Sequence, residues 1–180
     1  AFLLLMEPDF GATVIAVGAV VGMMFLAGAR LIYVLALLAS VGLGFLVLVF
    51  SAPYRLQRLT AYQDPWSDPF GAGFQLVQSL IAFGRGEWFG VGLGNSIQKL
   101  FYLPEAHTDF VFSIWAEETG LFGALLLILL FVGLITRIMQ TGWRAAAEGN
   151  GFAAYLCFGV GLMFAGQVFI NMGARSGLLP

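Results

Sequence analysis

Long apolar runs alternate with short polar links along this chain. Four of these runs carry few or no charged side chains, and they cover residues 11–29, 31–52, 110–136 and 151–174. A helix that crosses the apolar core of a bilayer needs roughly 20 such residues. The pattern therefore predicts four full transmembrane helices. Residues 1–6 are also apolar, so we expect them to be the end of another spanning helix and the chain to be a fragment.

The longest interruption of this pattern is the segment 53–109. So long a stretch without structure is uncommon in a compact domain, and we expect it to contain folded elements. Residues 74–83 have the apolar spacing of a short amphipathic helix at the membrane interface, where Trp66 and Trp88 are suitable anchors. The predicted fold is all-α: a polytopic transmembrane helical bundle with a long, partly helical external loop, in one partial domain over 1–180.

Basic residues in the short links give the orientation. Arg30 lies between the first two predicted helices, and Arg137 and Arg144 lie before the last one. Short loops rich in Lys and Arg favour the cytoplasm, whereas long loops cross the membrane largely regardless of charge. We therefore expect the loop 53–109 to be external, although it also contains basic residues.

Composition supports a membrane protein and excludes other classes. The chain is 60% hydrophobic and 10% charged, whereas soluble proteins carry roughly 25% charged residues. The net charge of -2 and the absence of a basic run give no support for a nucleic-acid partner. The single cysteine, Cys157, lies in an apolar run and is expected to serve packing.

Three glycines, Gly90, Gly92 and Gly94, permit two interpretations. Glycine lets backbone amides approach a phosphate closely, so the series could form a phosphate cradle. However, no strand precedes it and no Gly-Lys-Ser/Thr follows it, so the context of a nucleotide motif is missing. The sequence favours a tight turn at the membrane surface.

Titratable side chains gather directly before the third apolar run. Glu105, the only histidine, His107, and Asp109 lie within residues 102–110. Ionisable groups beside a membrane are costly, and they often mark function. Histidine titrates near neutral pH and would ordinarily be preferred as a general base. Asp109 also has a structural explanation, because aspartate commonly caps a helix. The residues alone leave both explanations open.

Metal and anion binding are indicated less strongly. One histidine without paired cysteines does not predict a zinc site. Loop carboxylates could hold Mg²⁺ or Mn²⁺ through their oxygens, but no ligand spacing indicates such a site. Lys99, Arg85 and Arg58 could bind a lipid diphosphate, or they could simply contact anionic headgroups.

Polar residues also occur inside two predicted helices. Glu117 and Glu118 are about 100° apart around a helix, so at most one of them faces Asp109. Gln167 and Asn171 are four residues apart and share one face, which is typical of interhelical hydrogen bonding or of a cavity lining.

Several motifs together resemble the FtsW/RodA family, the SEDS peptidoglycan glycosyltransferases. The resemblance covers essentially the whole chain. The segments 82–87 and 98–100 make the FtsW branch a closer match than the RodA branch. The other matching motifs are Glu7-Pro8-Asp9-Phe10-Gly11, Tyr54-Arg55-Leu56-Gln57-Arg58-Leu59-Thr60, Asp64-Pro65-Trp66, the stretch from Gln75 to Gly86, Gly92-Leu93-Gly94-Asn95-Ser96, His107-Thr108-Asp109-Phe110 and Gly177-Leu178-Leu179-Pro180.

The resemblance implies an inverting lipid II polymerase. The essential aspartate of the family falls at Asp109, which would act as general base on the C4 hydroxyl of the acceptor N-acetylglucosamine. This hydroxyl would attack the anomeric carbon of the donor N-acetylmuramic acid and expel undecaprenyl diphosphate. The expected substrate-binding and supporting residues are Lys99, Arg85, Arg58, Glu105 and His107.

The same resemblance implies a place and partners. These are the division septum of the bacterial inner membrane, a class B penicillin-binding protein, other divisome proteins, lipid II, undecaprenyl-diphosphate-linked glycan and membrane lipid. The family has further helices on both sides of this segment, so the fragment alone is expected to be inactive. A flippase for the lipid-linked precursor, or a scaffold, remains an alternative. The enzyme is favoured because a transporter should concentrate its polar residues near the midplane of the membrane.

Overall fold

The computed structural model describes residues 10–50, 62, 64–71, 73–98 and 110–179, with backbone only for 10 and 45–50. The regular structure in these ranges is helical and contains no strand, so the all-α prediction is confirmed for the described part of the chain. The five helices are α1 (Phe10–Leu26), α2 (Leu31–Phe50), α3 (Phe74–Gly86), α4 (Val111–Ala147) and α5 (Gly151–Arg175).

Two helices, α4 and α5, are long and apolar enough to cross a membrane. The apolar parts of α1 and α2, Gly11–Leu26 and Leu31–Gly44, are shorter. The described residues therefore support two of the four predicted spans by length and composition. The predicted amphipathic helix in the loop is confirmed as α3, which continues to Gly86.

Helix ends differ from the predicted bounds for physical reasons. α1 ends at Leu26 because Gly28 takes a left-handed conformation (φ 73°), and the amide of Ala29 bonds the carbonyl of Met24 at 3.1 Å. α4 does not end at residue 136 but continues to Ala147, so the predicted basic link is largely helical. Hydropathy marks where a helix leaves the apolar core and not where its hydrogen bonding stops.

The described residues belong to two compact units. The first contains Ala1–Val47 and Phe131–Ile170, and the second contains Leu48–Leu130 and Asn171–Pro180. In the first unit, glycines allow helices to pack closely. A Cβ on Gly22 would lie 2.7 Å from Leu162, and a Cβ on Gly161 would lie 2.8 Å from the Met139 sulfur.

In the second unit, α3 packs on the first half of α4. Apart from Phe112, the buried face of α4 here consists of small and polar residues at helical spacing, which allows close approach of the two helices. A Cβ on Gly86 of α3 would collide with the Ala116 carbonyl. Phe83 and Phe112 pack edge to face, with ring centroids 5.5 Å apart. The buried residues of α4 here are Phe112, Ser113, Ala116, Glu117, Gly120 and Ala124.

Gly120 interrupts α4. Its backbone (φ 69°, ψ -168°) is in a region open essentially to glycine alone. The interruption exposes amides on one side and carbonyls on the other, and the turn after α3 satisfies both. The amide of Leu121 donates to the Glu87 carbonyl at 2.9 Å, and that of Phe122 donates to the Trp88 carbonyl at 3.3 Å.

The same turn donates hydrogen bonds in the opposite direction. The amides of Val91 and Gly92 donate to the carbonyls of Glu117 (3.0 Å) and Glu118 (3.1 Å). Gly90, Gly92 and Gly94 all have positive φ, and a Cβ on Gly90 would collide with the Glu118 carbonyl. The tight turn is thus observed, with the amides of Val91 and Gly92 bonded to α4 and that of Gly90 bonded to the Gly86 carbonyl. Its place at the membrane surface stays a prediction.

Replacement of Gly120 by alanine should destabilise the protein strongly. The Cβ would lie 2.6 Å from the Phe89 nitrogen, and the backbone conformation itself costs roughly 1–3 kcal/mol for a residue with a side chain. Thermal unfolding of the full-length protein in detergent should show a fall of several degrees in Tm. Gly133→Ala is the matched control on α4, because nothing lies within 4 Å of its Cβ position. An unchanged Tm for Gly120→Ala would contradict the interrupted helix.

Candidate active site

The described part of the chain includes one of the predicted site residues, Arg85. The segment 99–109 lies between two described flanks, which end at Gln98 and begin again at Phe110. The geometry of both flanks is therefore defined. The other predicted site residues lie outside the described residues: Asp109, His107, Glu105, Lys99 and Arg58.

An ion pair between α3 and α4 stands beside the first flank. The Nη1 atom of Arg85, in the last turn of α3, lies 2.9 Å from Oε1 of Glu117. The Arg85 side chain is 37% exposed, whereas that of Glu117 is 0% exposed. A buried carboxylate requires a counter-charge and hydrogen-bond donors, so Arg85 accounts for part of what keeps Glu117 inside the protein.

The segment Ser96–Gln98 supplies the other donors. The Ser96 hydroxyl donates to Oε2 of Glu117 at 2.5 Å, and the Ile97 amide lies 3.4 Å from its Oε1. The Ser96 amide lies 3.4 Å from Oε1 of Glu118. The two carboxylates point in different directions around α4, yet both reach Ser96 because the glycine turn brings this segment across the helix.

This arrangement defines what Glu117 and Arg85 can do. Both carboxylate oxygens of Glu117 accept hydrogen bonds in a buried position, so Glu117 acts as an anchor and is not placed to take a proton from a substrate. One guanidinium nitrogen of Arg85 is engaged with Glu117. The role of Arg85 in diphosphate binding stays a prediction, and its positive charge is shared with a buried carboxylate.

Gln98 carries an unusual polar atom at the end of this flank. Its side chain is 5% exposed, and its Oε1 is buried without a hydrogen-bond partner in the described structure. An unsatisfied buried acceptor typically costs about 1–3 kcal/mol. Sequence reasoning used Gln98 only as part of a family motif. Neither the hydropathy pattern nor the local spacing indicated its burial.

The second flank is held by α3 and the end of α5. Phe110 is 2% exposed, and Cζ of Arg175 lies 4.1 Å from its ring centroid in a cation–π contact. The Ser79 hydroxyl donates to the Arg175 carbonyl at 2.7 Å, and Ser113 lies 2.6 Å from Ser79. Because Ser79 has a single hydroxyl proton, Ser113 must be the donor in the Ser113–Ser79 bond. Sequence reasoning missed this chain, since two isolated serines carry no motif.

The described residues offer no cluster of metal ligands. Within the described ranges, no three side chains of His, Cys, Asp or Glu come together in a group that could hold a metal ion. Glu105, His107 and Asp109 lie outside those ranges. A Mg²⁺ or Mn²⁺ site on the loop carboxylates therefore stays a prediction.

The two serines should differ in their contribution to stability. Ser79→Ala removes the hydrogen bond to the Arg175 carbonyl and the acceptor of the Ser113 hydroxyl, with an expected cost of about 1–3 kcal/mol. Ser113→Ala leaves the Ser79–Arg175 bond in place and should cost less. Thermal unfolding of the full-length protein measures both, with Ser40→Ala as the exposed control, whose hydroxyl bonds only the Leu37 carbonyl. A larger loss for Ser113→Ala would contradict the assigned donor order.

Known proteins similar to this chain agree on one family. A family model, FTSW_RODA_SPOVE, described as "Cell cycle protein", matches residues 1–180. A protein of Hahella chejuensis named "Probable peptidoglycan glycosyltransferase FtsW" is 59% identical over 180 residues, which are 100% of this chain and 45% of the relative. A protein of Methylococcus capsulatus with the same name is 56% identical, again over 100% of this chain and 45% of the relative.

A solved structure is similar over the same extent. It is described as "Structural coordination of polymerization and crosslinking by a peptidoglycan synthase complex", and the match has a TM-score of 0.71 and 30% identity over 99% of this chain and 48% of the other. The chain thus spans 45% of the length of the curated relatives just described. The match of all 180 residues to the family model shows that the chain belongs to the FtsW/RodA/SpoVE family of cell cycle proteins.

Proposed function

We propose that the protein to which this chain belongs is a peptidoglycan glycosyltransferase that polymerises lipid II during septal cell-wall synthesis. The observation that carries this proposal is the identity of 59% over the entire chain to a relative named for that activity. The solved relative, described as a peptidoglycan synthase complex, supports the same reaction class.

Asp109 is the proposed general base. It takes the proton of the C4 hydroxyl of the acceptor N-acetylglucosamine while the oxygen attacks the anomeric carbon of the donor N-acetylmuramic acid. The bond to undecaprenyl diphosphate breaks, and the configuration at the anomeric carbon is inverted. Proton transfer of this kind contributes about 10²- to 10⁴-fold to a rate. Positioning and charge stabilisation must supply the rest.

Positive charge is needed where the diphosphate leaves. Lys99, Arg58 and Arg85 are the proposed groups, with Glu105 and His107 in supporting roles near the base. The geometry supports this in one respect: the flanks that enclose the segment 99–109 are buried and bonded to α4, so the segment starts and ends on a packed scaffold. Binding residues held by such a scaffold lose less entropy when substrate binds.

We also propose the membrane arrangement and the partners. The chain contributes four spans and the end of another to the bacterial inner membrane at the division septum, with 53–109 on the periplasmic side. A class B penicillin-binding protein would crosslink the product, and other divisome proteins would regulate the complex. The polyprenyl tail of the substrate would remain in lipid while the sugars reach the external face.

Asp109→Asn should abolish polymerisation. The amide keeps the size of the side chain but cannot accept the proton, so glycan synthesis should fall by about 10²- to 10⁴-fold. The assay uses the full-length protein with its penicillin-binding partner and labelled lipid II. Glu87→Gln is the control, because Glu87 is an exposed carboxylate elsewhere in the loop. Normal polymerisation in Asp109→Asn would overturn the base assignment, whereas lipid translocation without polymer would favour a flippase.

The orientation predicts opposite labelling of two exposed positions. In a full-length protein without other cysteines, Ser67→Cys should react with a membrane-impermeant maleimide on intact spheroplasts. Glu148→Cys should react only after permeabilisation, because α4 separates the two positions and Ser67 lies in the external loop. The reverse pattern would show that the orientation is wrong. Labelling of both from outside would show that α4 does not cross the membrane.

A further inference from the structure

Two separate segments of the second unit converge on one buried carboxylate of α4. Arg85 arrives from the end of α3, Ser96 and Ile97 arrive from the segment after the glycine turn, and Glu117 itself lies on α4. The Glu117 side chain is 0% exposed. It is therefore too deeply buried to contact a substrate, and any effect it has on the reaction must act through the groups it holds.

The chemistry of this contact explains why a carboxylate stands there. Oε1 accepts from Arg85 and from the Ile97 amide, and Oε2 accepts from the Ser96 hydroxyl. An ionised carboxylate is an acceptor only and can serve all three donors at once. Buried ion pairs often add little net stability compared with apolar packing, and their best-attested use is to fix a register.

Here the register is the position of the segment Ser96–Gln98 along α4, which the contact with Glu117 fixes. Lys99 follows Gln98 directly, and Asp109 precedes Phe110, which leads into the same helix at Val111. Both flanks of the segment 99–109 are thus attached to α4. Phe110 continues directly into the helix, and Ser96–Gln98 contacts it through Glu117. The turn and Glu118 also bond this flank to α4, but the contact with the Glu117 carboxylate can be removed by a single substitution.

We propose that Glu117 is a positioning residue for the glycosyl transfer, since it sets the register of the segment that leads to Lys99 relative to the helix that follows Asp109. This inference rests on the proposed function. It adds a residue to which sequence reasoning assigned no role in catalysis. A misplacement of about 1 Å in a reacting group can cost about 10²-fold in rate, so loss of the register should lower turnover more than substrate affinity.

The kinetic test compares Glu117→Gln with wild type in the full-length protein and its partner, with labelled lipid II and with rates normalised to folded, monodisperse protein. Glutamine keeps the shape but loses the charge that Arg85 and the buried donors require. We expect kcat to fall by about 10- to 100-fold, with little change in KM. Glu87→Gln is the control, because Glu87 is an exposed carboxylate.

A second variant covers the case in which Glu117→Gln does not fold. Ser96→Ala keeps the ion pair and removes the hydroxyl that bonds Oε2, so it should lower kcat by a smaller factor. The double variant should lose no more than Glu117→Gln alone, because both changes act on the same contact. A wild-type kcat in Glu117→Gln, or in Ser96→Ala where Glu117→Gln does not fold, would overturn the proposal, as would a rise in KM alone.

Hydrogen exchange separates this inference from the proposed function. The amides of Ser96 and Ile97 should exchange faster in Glu117→Gln and, to a smaller extent, in Ser96→Ala, while peptides from α5 stay unchanged. This readout needs no substrate. Faster exchange together with a wild-type protein that makes no glycan would refute the polymerase and keep the register role. Unchanged exchange in both variants would refute the register role, even if the wild-type protein polymerises lipid II normally.

Discussion

The structure of the second unit depends on a direct contact between two backbones. The turn after α3 lies so close to α4 that side chains at Gly86, Gly90 or Gly120 would collide with backbone atoms. The contact is made by amides and carbonyls, which carry fixed hydrogen-bonding capacity and must be satisfied when buried. An interrupted helix and a glycine turn satisfy each other's free groups here.

This contact explains how charge is tolerated in so apolar a chain. Because the turn reverses the backbone at Gly90, Gly92 and Gly94, it returns the segment Ser96–Gln98 to α4 within hydrogen-bonding distance of Glu117. Arg85 reaches the same carboxylate from the helix that precedes the turn. A carboxylate that would be costly alone is thereby given a counter-charge and donors. The glycines of this turn thus make the polar cluster possible.

Much of the fold follows from the sequence because apolar periodicity and length report directly on helices. The all-α class and the amphipathic helix α3 were predicted in this way and are confirmed. The extension of α4 to Ala147 was not predicted, since charge at Arg137 marks a change of solvent and not the end of a helix. The interruption at Gly120 was also missed, because a single glycine in an apolar run has no signal until its packing partner is known.

In the candidate site, too, some features were predicted from the sequence and others were not. Asp109 was singled out because titratable residues are rare in this sequence, and the family resemblance separated it from Glu105 and His107. Arg85 was identified as a cation, but its ion pair with Glu117 was not, because the two residues are far apart in the chain. The partners of Ser79 and Ser96 depend on long-range packing in the same way. Local patterns together with the resemblance therefore selected the proposed base, whereas the residues that hold the flanks of its segment required the folded chain.

The proposed base and the residues that hold its flanks have different structural requirements. A general base needs only the correct chemical type at an accessible place, but a positioning contact needs several donors to meet one acceptor in a fixed geometry. In the second unit that acceptor is buried Glu117, and the helix that carries it starts directly after the segment that contains Asp109. Any movement of α3 relative to α4 would strain this contact and shift the flank at Gln98. The position of α3 is therefore coupled to that flank through Glu117.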